Sequence, residues 1–302
     1  MSFRISLVDF AVLTVVVMWG ISFTAVKVAL AEIHPLAFIM GRSWVIGTIA
    51  IIALLIWSRP LRLKKRAWGR LILLGILGQA GYQFFFATGL EQTSTFHAAV
   101  IISATPIFIA LGTVIGRIEK VSRLQWFGLF LSFVGLALFL RNSTQDPAGE
   151  ATLRGDLLCL GSTICWALYT VISKPLLKRE TPLQITSFAV LTSIPFVLLY
   201  GWHPYTQQDW NISLEAWLAF FYAAIFPIYI AYLLWMWGVD RLGPVRTSIY
   251  SYLVPIVTAA VSWLWIQETI TLIQALLALL VIAGMMITRL SSLATLKKWA
   301  KP

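Results

Sequence analysis

The sequence contains very little charge. Asp, Glu, Lys and Arg make up 12% of the 302 residues, whereas 59% are hydrophobic and the mean hydropathy is +0.85. A soluble globular domain averages about 25% charged residues, which cover its water-facing surface. This composition excludes an ordinary soluble domain and predicts a polytopic membrane protein.

Cysteine and histidine are also scarce, with two cysteines and three histidines in the chain. Cys159 and Cys165 fall on one predicted helix, about 9 Å apart along its axis, which is too far for a disulfide between them. The histidines are scattered, so no metal site is predicted. The sequence also has no GxxxxGK[ST] segment, which argues against ATP use. We therefore expect no cofactor.

Long apolar runs dominate the sequence instead. A bilayer core of about 30 Å takes about 20 apolar residues per helix, and none of the runs has the strict alternation of a barrel strand. The first run is too long for a cleaved signal peptide and lacks its small-x-small site. The predicted fold class is an all-α integral membrane protein with ten transmembrane helices, spans 1 to 10, at 9–29, 36–57, 70–90, 94–116, 123–141, 153–174, 182–202, 213–238, 243–266 and 271–290.

The net charge of +11 is distributed unevenly along the chain. If the N-terminus is cytoplasmic, ten spans return the C-terminus to the cytoplasm, and 19 of the 23 Lys and Arg residues lie on that side. This is the positive-inside signal that orients membrane proteins. We therefore expect a multi-pass protein with both termini cytoplasmic, whose basic residues meet the lipid bilayer and not a nucleic acid.

The second half of the sequence matches the first at a shift of 147 residues, which rises to 149 after a two-residue insertion. Five spans per half mean that the second copy enters the membrane inverted, as in secondary transporters with a midplane site. We predict a first repeat at 9–141, a linker at 142–152, a second repeat at 153–290 and a basic tail at 291–302. Matched pairs include Trp19 with Trp166, Lys27 with Lys174, Pro106 with Pro255, Glu119 with Glu268 and Gly135 with Gly284.

Several motifs keep one order in both halves. The first half carries WGISFTAVK, GLEQTSTFHAA and TPIF, and the second carries WALYTVISK, GVDRLGPVRTS and VPIV. This order, with five helices per unit, resembles the EamA-domain family of the drug/metabolite transporter superfamily over about 9–140 and 155–290. The resemblance implies export or exchange of small metabolites, often amino acids, across the bacterial inner membrane. It also implies a central cavity built largely from helices 1, 3, 4, 6, 8 and 9. The second copy departs from the pattern at Ala189, which matches Arg42.

Charged and titratable residues near the ends of spans are candidates for gates. Lys27 and Lys174 either snorkel to the headgroups or act as gates, since intramembrane charges usually face a cavity or a partner. The acids nearest the two mouths are Glu268 and Glu119, and Arg42 is expected to pair with Glu32 or Glu268. The candidate set is Lys27, Arg42, His97, Glu119, Lys174 and Glu268.

Structural interpretations stand beside these functional ones. His97 is either a satisfied polar residue or a proton switch. SRLQ at 122–125 and TLIQ at 271–274 fit capping boxes for the helices that follow Glu119 and Glu268. No acid lies at mid-bilayer in any predicted span, which argues against proton antiport through a buried carboxylate and against a small multidrug antiporter.

Pro106 and Pro255 lie mid-span at matched positions, with Pro227 as a third mid-span proline. Proline removes a backbone hydrogen bond and kinks a helix, so the matched pair is predicted to mark a hinge or binding region; a fixed packing kink is the alternative. The candidate cavity wall is aromatic and polar but uncharged. It comprises Trp19, Ser22, Gln79, Tyr82, Gln83, Phe86, Ser103, Trp166, Tyr169, Tyr229, Tyr232, Trp235, Ser248, Ser251 and Tyr252.

Such a wall suits a neutral or zwitterionic solute with an apolar side chain and suits phosphate poorly, because phosphate recognition calls for Arg or Lys. The function hypothesis is therefore a secondary transporter of small metabolites, foremost amino acids, that works by alternating access. A multidrug, nucleoside or sugar exporter of the same fold is the alternative. An integral membrane enzyme is a remote one, because no acid and histidine are expected to meet at one membrane face.

Overall fold

The structure, a computed structural model, describes residues 6–57, 65–116, 122–142 and 152–299. Most of the predicted linker at 142–152, the end of the predicted tail and the basic residues Arg59 and Lys120 lie outside these ranges. Within them the secondary structure is helical and no strand is present. The predicted all-α fold class is confirmed.

Ten helices, α1 to α10, follow one another along the described residues and correspond to spans 1 to 10. Eight are long and apolar enough to cross a membrane, while α5 and α10 contain the shorter apolar helices Arg123–Phe139 and Leu272–Gly284. The helices are α1 (Leu7–Leu30), α2 (Pro35–Trp57), α3 (Lys65–Gly75, Ile76–Gly81 and Tyr82–Glu91), α4 (Thr95–Ser103 and Thr105–Ile115), α5 (Arg123–Asn142), α6 (Leu153–Ser173), α7 (Pro182–Gln207), α8 (Leu214–Ala224, Ile225–Ile230 and Ala231–Leu242), α9 (Pro244–Ser248, Ile249–Leu253 and Val254–Ile266) and α10 (Leu272–Trp299).

The helices begin at side chains that accept orphan backbone N–H groups. Both predicted capping boxes are present. Gln125 Oε1 accepts the Ser122 N–H at 2.5 Å, and Gln274 Oε1 accepts the Thr271 N–H at 2.8 Å. In each box the hydroxyl accepts the return N–H at 3.3 Å. These interactions fix the starts of α5 and α10.

Four helices are interrupted near their midpoints, in two matched pairs. A π-helical turn lies at Ile76–Gly81 in α3 and another at Ile225–Ile230 in α8, 149 residues later. Helix α4 breaks at Ala104, and α9 passes through a 3-10 segment, Ile249–Leu253. Pro106 and Pro255 each lie in the first turn of the second half-helix, where the missing N–H has no intrahelical partner to lose. The matched prolines therefore begin half-helices, while a 3-10 segment and two π turns supply the other irregularities.

Helices from the two halves pack against each other in matched pairs. Helix α5 packs on α10, α2 on α7, α3 on α6, and α1 on α8 and α9. The α5–α10 contact depends on close backbone approach at the matched Gly135 and Gly284. A Cβ on Gly284 would lie 2.6 Å from Ser132 N, and one on Gly135 would lie 3.0 Å from Val281 N. The core therefore lies largely between the two halves of the chain.

Candidate substrate cavity

A cavity lies among the interrupted helices, with side chains from α1, α2, α3, α4, α6, α8 and α9 around it. Its empty volume is about 570 Å³, including the part that is continuous with solvent, within the range of small-molecule sites. Six of its residues are aromatic, and Arg42 is the charged residue of the set. The lining residues are Trp19, Ser22, Phe23, Val26, Arg42, Tyr82, Gln83, Phe86, Ile102, Ser103, Thr105, Trp166, Pro227, Ile228, Tyr232, Ser251 and Val254.

The two π turns are held by aromatic side chains from the opposite repeat. Trp19 Nε1 in α1 donates to the Pro227 carbonyl of α8 at 2.9 Å, and the Tyr232 hydroxyl in α8 donates to the Gly78 carbonyl of α3 at 3.3 Å. Gly78 and Pro227 occupy the same position in their turns, 149 residues apart. Because Trp19 and Tyr232 also line the cavity, the cavity wall is bonded directly to the irregular backbone of both halves.

The aromatic wall forms a continuous cluster. The rings of Trp19 and Trp166 meet edge to face at 5.4 Å between centroids, Trp166 and Tyr232 lie 4.5 Å apart, and Tyr82 stacks on Phe86 at 5.6 Å. Such pairs contribute about 0.5–1.5 kcal/mol each beyond burial of their area. The wall therefore offers ring faces and edges to an apolar group.

Arg42 lies in this cavity and not at a mouth. Its exposed fraction is 2%. Nη2 donates to Gln83 Oε1 at 2.8 Å, Nη1 donates to the Ala223 carbonyl at 3.4 Å, and the guanidinium carbon lies 4.0 Å from the Phe38 ring centroid. The prediction that Arg42 pairs with Glu32 or Glu268 is wrong, because both carboxylates are bonded to helix N-termini elsewhere.

Nine of the fifteen predicted wall residues line the cavity: Trp19, Ser22, Tyr82, Gln83, Phe86, Ser103, Trp166, Tyr232 and Ser251. Three others lie behind the wall. Trp235 packs on Trp19 at 4.9 Å between centroids, and Tyr169 stacks on the far side of Trp166 at 5.1 Å. Tyr252 is buried in the core.

The remaining three are buried and are not among the lining residues. Tyr229 hydrogen-bonds to Ser187 at 2.8 Å, and the Ser248 hydroxyl donates to the Val245 carbonyl at 2.9 Å. Gln79 lies in the π turn and is 2% exposed. These placements correct the prediction of a single wall that contains all fifteen residues.

Sequence reasoning missed several lining residues. Phe23, Val26, Ile102 and Val254 are apolar residues in apolar runs, and Thr105 resembles an ordinary helix residue, so nothing in their types separates them from lipid-facing or core positions. Position in the repeat gives one signal, because Ile102 and Thr105 of α4 match Ser251 and Val254 of α9. Both matched pairs lie beside a helix break and line the cavity.

The two matched lysines bind helix C-termini. Lys27 Nζ donates to the carbonyls of Leu90 at 2.9 Å and Thr93 at 2.7 Å, at the end of α3. Lys174 Nζ donates to the carbonyls of Val239 at 2.8 Å and Asp240 at 2.9 Å, at the end of α8. A cation at this place satisfies the orphan carbonyls and the negative end of the helix dipole. The ammonium groups thus join the first helix of each repeat to the third.

Glu268 caps a helix of the other repeat. Its carboxylate accepts the Thr95 hydroxyl and, at 3.1 Å, the Phe96 N–H at the start of α4. This placement fits the structural interpretation, since a carboxylate is favoured at a helix N-terminus. Its repeat partner Glu119 lies outside the described residues.

His97 takes part in a buried polar network with a residue that the sequence did not single out. His97 Nδ1 lies 3.1 Å from Asp156 Oδ2, and both side chains are fully buried. Asp156 Oδ1 accepts the Thr93 hydroxyl at 2.5 Å, and His97 Nε2 lies 3.1 Å from Gln274 Nε2. The expectation that no acid and histidine meet at one membrane face is therefore wrong. The network joins α4 to α6 and α10 outside the cavity wall.

The first repeat has an acid at the position that matches Asp156, on the opposite side of the helix bundle. Asp9 is the counterpart of Asp156 at a shift of 147 residues, and Arg246 is the counterpart of His97 at 149. The Asp9 carboxylate accepts the Tyr250 hydroxyl at 2.5 Å and interacts electrostatically with Arg246. Each repeat therefore places an acid at the start of its first helix against a basic residue in the fourth helix of the other repeat.

The loop between α1 and α2 is tied to the start of α8. The Glu32 carboxylate accepts the Ser213 hydroxyl at 2.5 Å and the Ser213 N–H at 2.7 Å. These two hydrogen bonds lower the pKa of Glu32 below its ordinary value of 4.5. The Glu32 carbonyl also accepts Gln208 Nε2 at 3.0 Å, so the loops α1–α2 and α7–α8 are joined on one face.

Comparison with known proteins places the chain in a family. The model of the EamA-like transporter family matches residues 6–141 and 153–290. An uncharacterized transporter, YyaM, of Bacillus subtilis strain 168 is 28% identical over 93% of this chain and 92% of its own length. A probable amino-acid metabolite efflux pump of Salmonella typhimurium strain LT2 is 26% identical over 92% and 93%.

A solved crystal structure superposes with a TM-score of 0.68 over 94% of this chain and 96% of the other, at 19% identity. This likeness concerns the fold alone. The family match covers both halves of the sequence, and the relatives are named as transporters. The chain therefore belongs to the EamA-like transporter family and is a multi-pass membrane transporter of a small-molecule substrate.

Proposed function

We propose that this transporter exports or exchanges small neutral or zwitterionic metabolites, foremost amino acids with an apolar or aromatic side chain. The observation that carries the proposal is the composition of the cavity wall. Six aromatic side chains surround five hydroxyl or amide side chains and one guanidinium. An apolar group would pack on the rings, while a polar head would bond to the hydroxyl, amide and guanidinium groups.

Other substrate classes fit this wall less well. Phosphorylated compounds call for several cationic groups, and the lining residues include Arg42 but no lysine. A cationic drug would be repelled by Arg42, and the lining set contains no Asp or Glu to offset that charge. The name of the Salmonella relative, an amino-acid metabolite efflux pump, points the same way. Nucleosides and sugars remain the runner-up, because hydroxyl and amide groups also suit them.

The mechanism we propose is alternating access between two inverted repeats, 9–141 and 153–290. Its support is the matched placement of irregular backbone, with π turns in α3 and α8 and breaks in α4 and α9 around one cavity. Discontinuous helices at the repeat interface are typical of transporter substrate sites. We place both termini in the cytoplasm of a bacterial inner membrane, on the strength of the basic residues.

The test is counterflow in proteoliposomes. Vesicles that contain the full-length protein are loaded with unlabelled amino acids, and entry of a trace labelled amino acid is followed. We expect saturable exchange of aromatic or aliphatic amino acids, abolished by Trp166→Ala and Tyr82→Ala and unchanged by Trp263→Ala, which alters an exposed tryptophan of α9. Failure of every amino acid to exchange, with the protein shown to be folded, would refute the proposed substrate class and favour nucleosides or sugars.

A further inference from the structure

A cation is buried in the cavity without an anionic partner in the part of the chain that the structure describes. Arg42 is 2% exposed, and the residues that line the cavity with it include no Asp or Glu. Neither the ion pair of His97 with Asp156 nor that of Arg241 with Asp240 involves Arg42. A buried charge is costly unless it is paired and hydrogen-bonded. None of the side chains that line the cavity with Arg42 therefore supplies the anion that would pair with it.

Not every N–H donor of the Arg42 guanidinium has an acceptor among the described residues. Arginine has five N–H donors in a planar fork. Nη2 donates to Gln83 and Nη1 makes a long bond to the Ala223 carbonyl, whereas the fully buried Nε donates to no acceptor among the described residues. The amide of the neighbouring Gln83 interacts with the Tyr232 hydroxyl. One buried donor of the guanidinium thus lacks an acceptor among the described residues.

We propose that Arg42, oriented by Gln83, binds the carboxylate of the transported solute. The guanidinium fork matches a carboxylate in geometry and charge. The substituent of the bound acid then packs on Trp19, Trp166 and Tyr232, which line the same cavity. This assignment deepens the proposed function and rests on it. It adds that a free carboxylate is required, so amides, esters and simple amines are excluded.

The binding site is asymmetric with respect to the repeat. Arg42 is matched by Ala189, a fully buried residue of α7, and Gln83 is matched by Tyr232 at a shift of 149 residues. The guanidinium and the amide among the lining side chains therefore both belong to the first repeat, whereas the second repeat contributes mostly apolar and aromatic side chains. A bound acid has one favoured orientation in such a site.

The decisive variant is Gln83→Glu. This change keeps the size of the side chain and places an internal carboxylate beside Arg42. In the wild-type protein, Gln83 Oε1 lies 2.8 Å from Arg42 Nη2. The internal carboxylate satisfies the cation and competes with the carboxylate of the solute. We expect the affinity for acids to fall roughly 10- to 100-fold, the range for loss of a charged hydrogen bond, while the protein stays folded.

The probes are four compounds with the same phenyl group: L-phenylalanine, 3-phenylpropionate, L-phenylalaninamide and 2-phenylethylamine. Their affinities for the purified full-length protein are measured by tryptophan fluorescence, since Trp19 and Trp166 line the cavity. We expect the two acids to bind roughly 10- to 100-fold more tightly than the amide and the amine. Arg42→Met and Gln83→Glu should remove this preference. Arg241→Met, which removes an exposed arginine at the end of α8, should leave it unchanged.

Each outcome decides between the proposals. Equal binding of the acids and the amide, or acid binding that survives both Arg42→Met and Gln83→Glu, would overturn the carboxylate site even if amino acids are exchanged. Binding of 3-phenylpropionate that depends on Arg42, without exchange of any amino acid, would uphold the carboxylate site and refute the amino-acid proposal. Absence of binding by both acids would overturn the carboxylate site.

Discussion

Replacing Lys27 by methionine tests whether the matched lysines hold the helices together or gate the cavity. Lys27 Nζ contacts the carbonyls of Leu90, Glu91 and Thr93 at 2.9, 3.4 and 2.7 Å. Methionine keeps much of the apolar stem but cannot donate. Because the Leu90 and Glu91 carbonyls lie in the last turn of α3, the substitution removes both their donor and the charge that opposes the helix dipole.

The expected loss of stability follows from these contacts. Leaving buried acceptors unsatisfied costs about 1–3 kcal/mol, and removing a cation from a helix C-terminus costs about 0.3–1 kcal/mol. We therefore expect Lys27→Met to lower the free energy of unfolding by about 1–4 kcal/mol. Lys174→Met removes two carbonyl contacts, at 2.8 and 2.9 Å, and should cost the same or slightly less.

The assay is thermal unfolding of the purified protein in detergent, followed by intrinsic tryptophan fluorescence. The control is Lys178→Met, the same chemical change at an exposed position. The effects of Lys27→Met and Lys174→Met should add in the double variant, because the two sites share no partner. A Lys27→Met protein with unchanged stability but lost transport would refute the capping role and favour the gate.

Three further predictions concern other contacts. Gly78→Ala should lower the free energy of unfolding by about 1–3 kcal/mol, because the added Cβ would lie 2.1 Å from the Tyr169 ring. Gly69→Ala is the control, since no atom lies within 4 Å of its added Cβ. Thermal unfolding of both variants checks this prediction. Asp156→Ala should lower the free energy of unfolding by about 1–3 kcal/mol for each buried donor that loses its acceptor. Denaturant unfolding identical to that of the wild type would contradict this. The hydrogen bonds from Ser213 lower the pKa of Glu32 in the folded protein. They therefore stabilise the fold fully above pH 4.5, and this contribution is lost as the pH falls through the folded-state pKa. In Glu32→Gln, Tm should change less with pH below 4.5 than it does in the wild type.

The course of the chain through the membrane could be predicted because hydropathy and duplication are one-dimensional signals. The apolar run at 123–141 corresponds to the helix Arg123–Asn142, and the run at 36–57 corresponds to the helix Pro35–Trp57. Capping boxes were equally accessible, since Ser122 and Gln125 are three residues apart and act on the same helix end. Local spacing of this kind is enough to locate where helices begin.

Contacts between distant segments could not be predicted in the same way. Asp156 meets His97 across 59 residues of sequence, and its position in the first turn of a helix has an ordinary explanation as a favourable N-terminal charge. The partner of Arg42 was sought among acids because charge suggests a salt bridge, but the structure supplies an amide and a carbonyl. The π turns carry no residue signature, so the placement of Gln79 within one of them could not be predicted.

The balance between symmetry and asymmetry gives the proposed mechanism its physical basis. The matched π turns, helix breaks and lysine caps are features of the frame, and each occurs once per repeat. A frame of two equivalent halves can adopt two related arrangements at similar free energy, which alternating access needs. The two repeats carry different residues where the solute is proposed to bind. Ala189 stands at the position that matches Arg42, and Tyr232 stands at the position that matches Gln83. An asymmetric site in a symmetric frame would hold an acid in one orientation while access to the cavity changes sides.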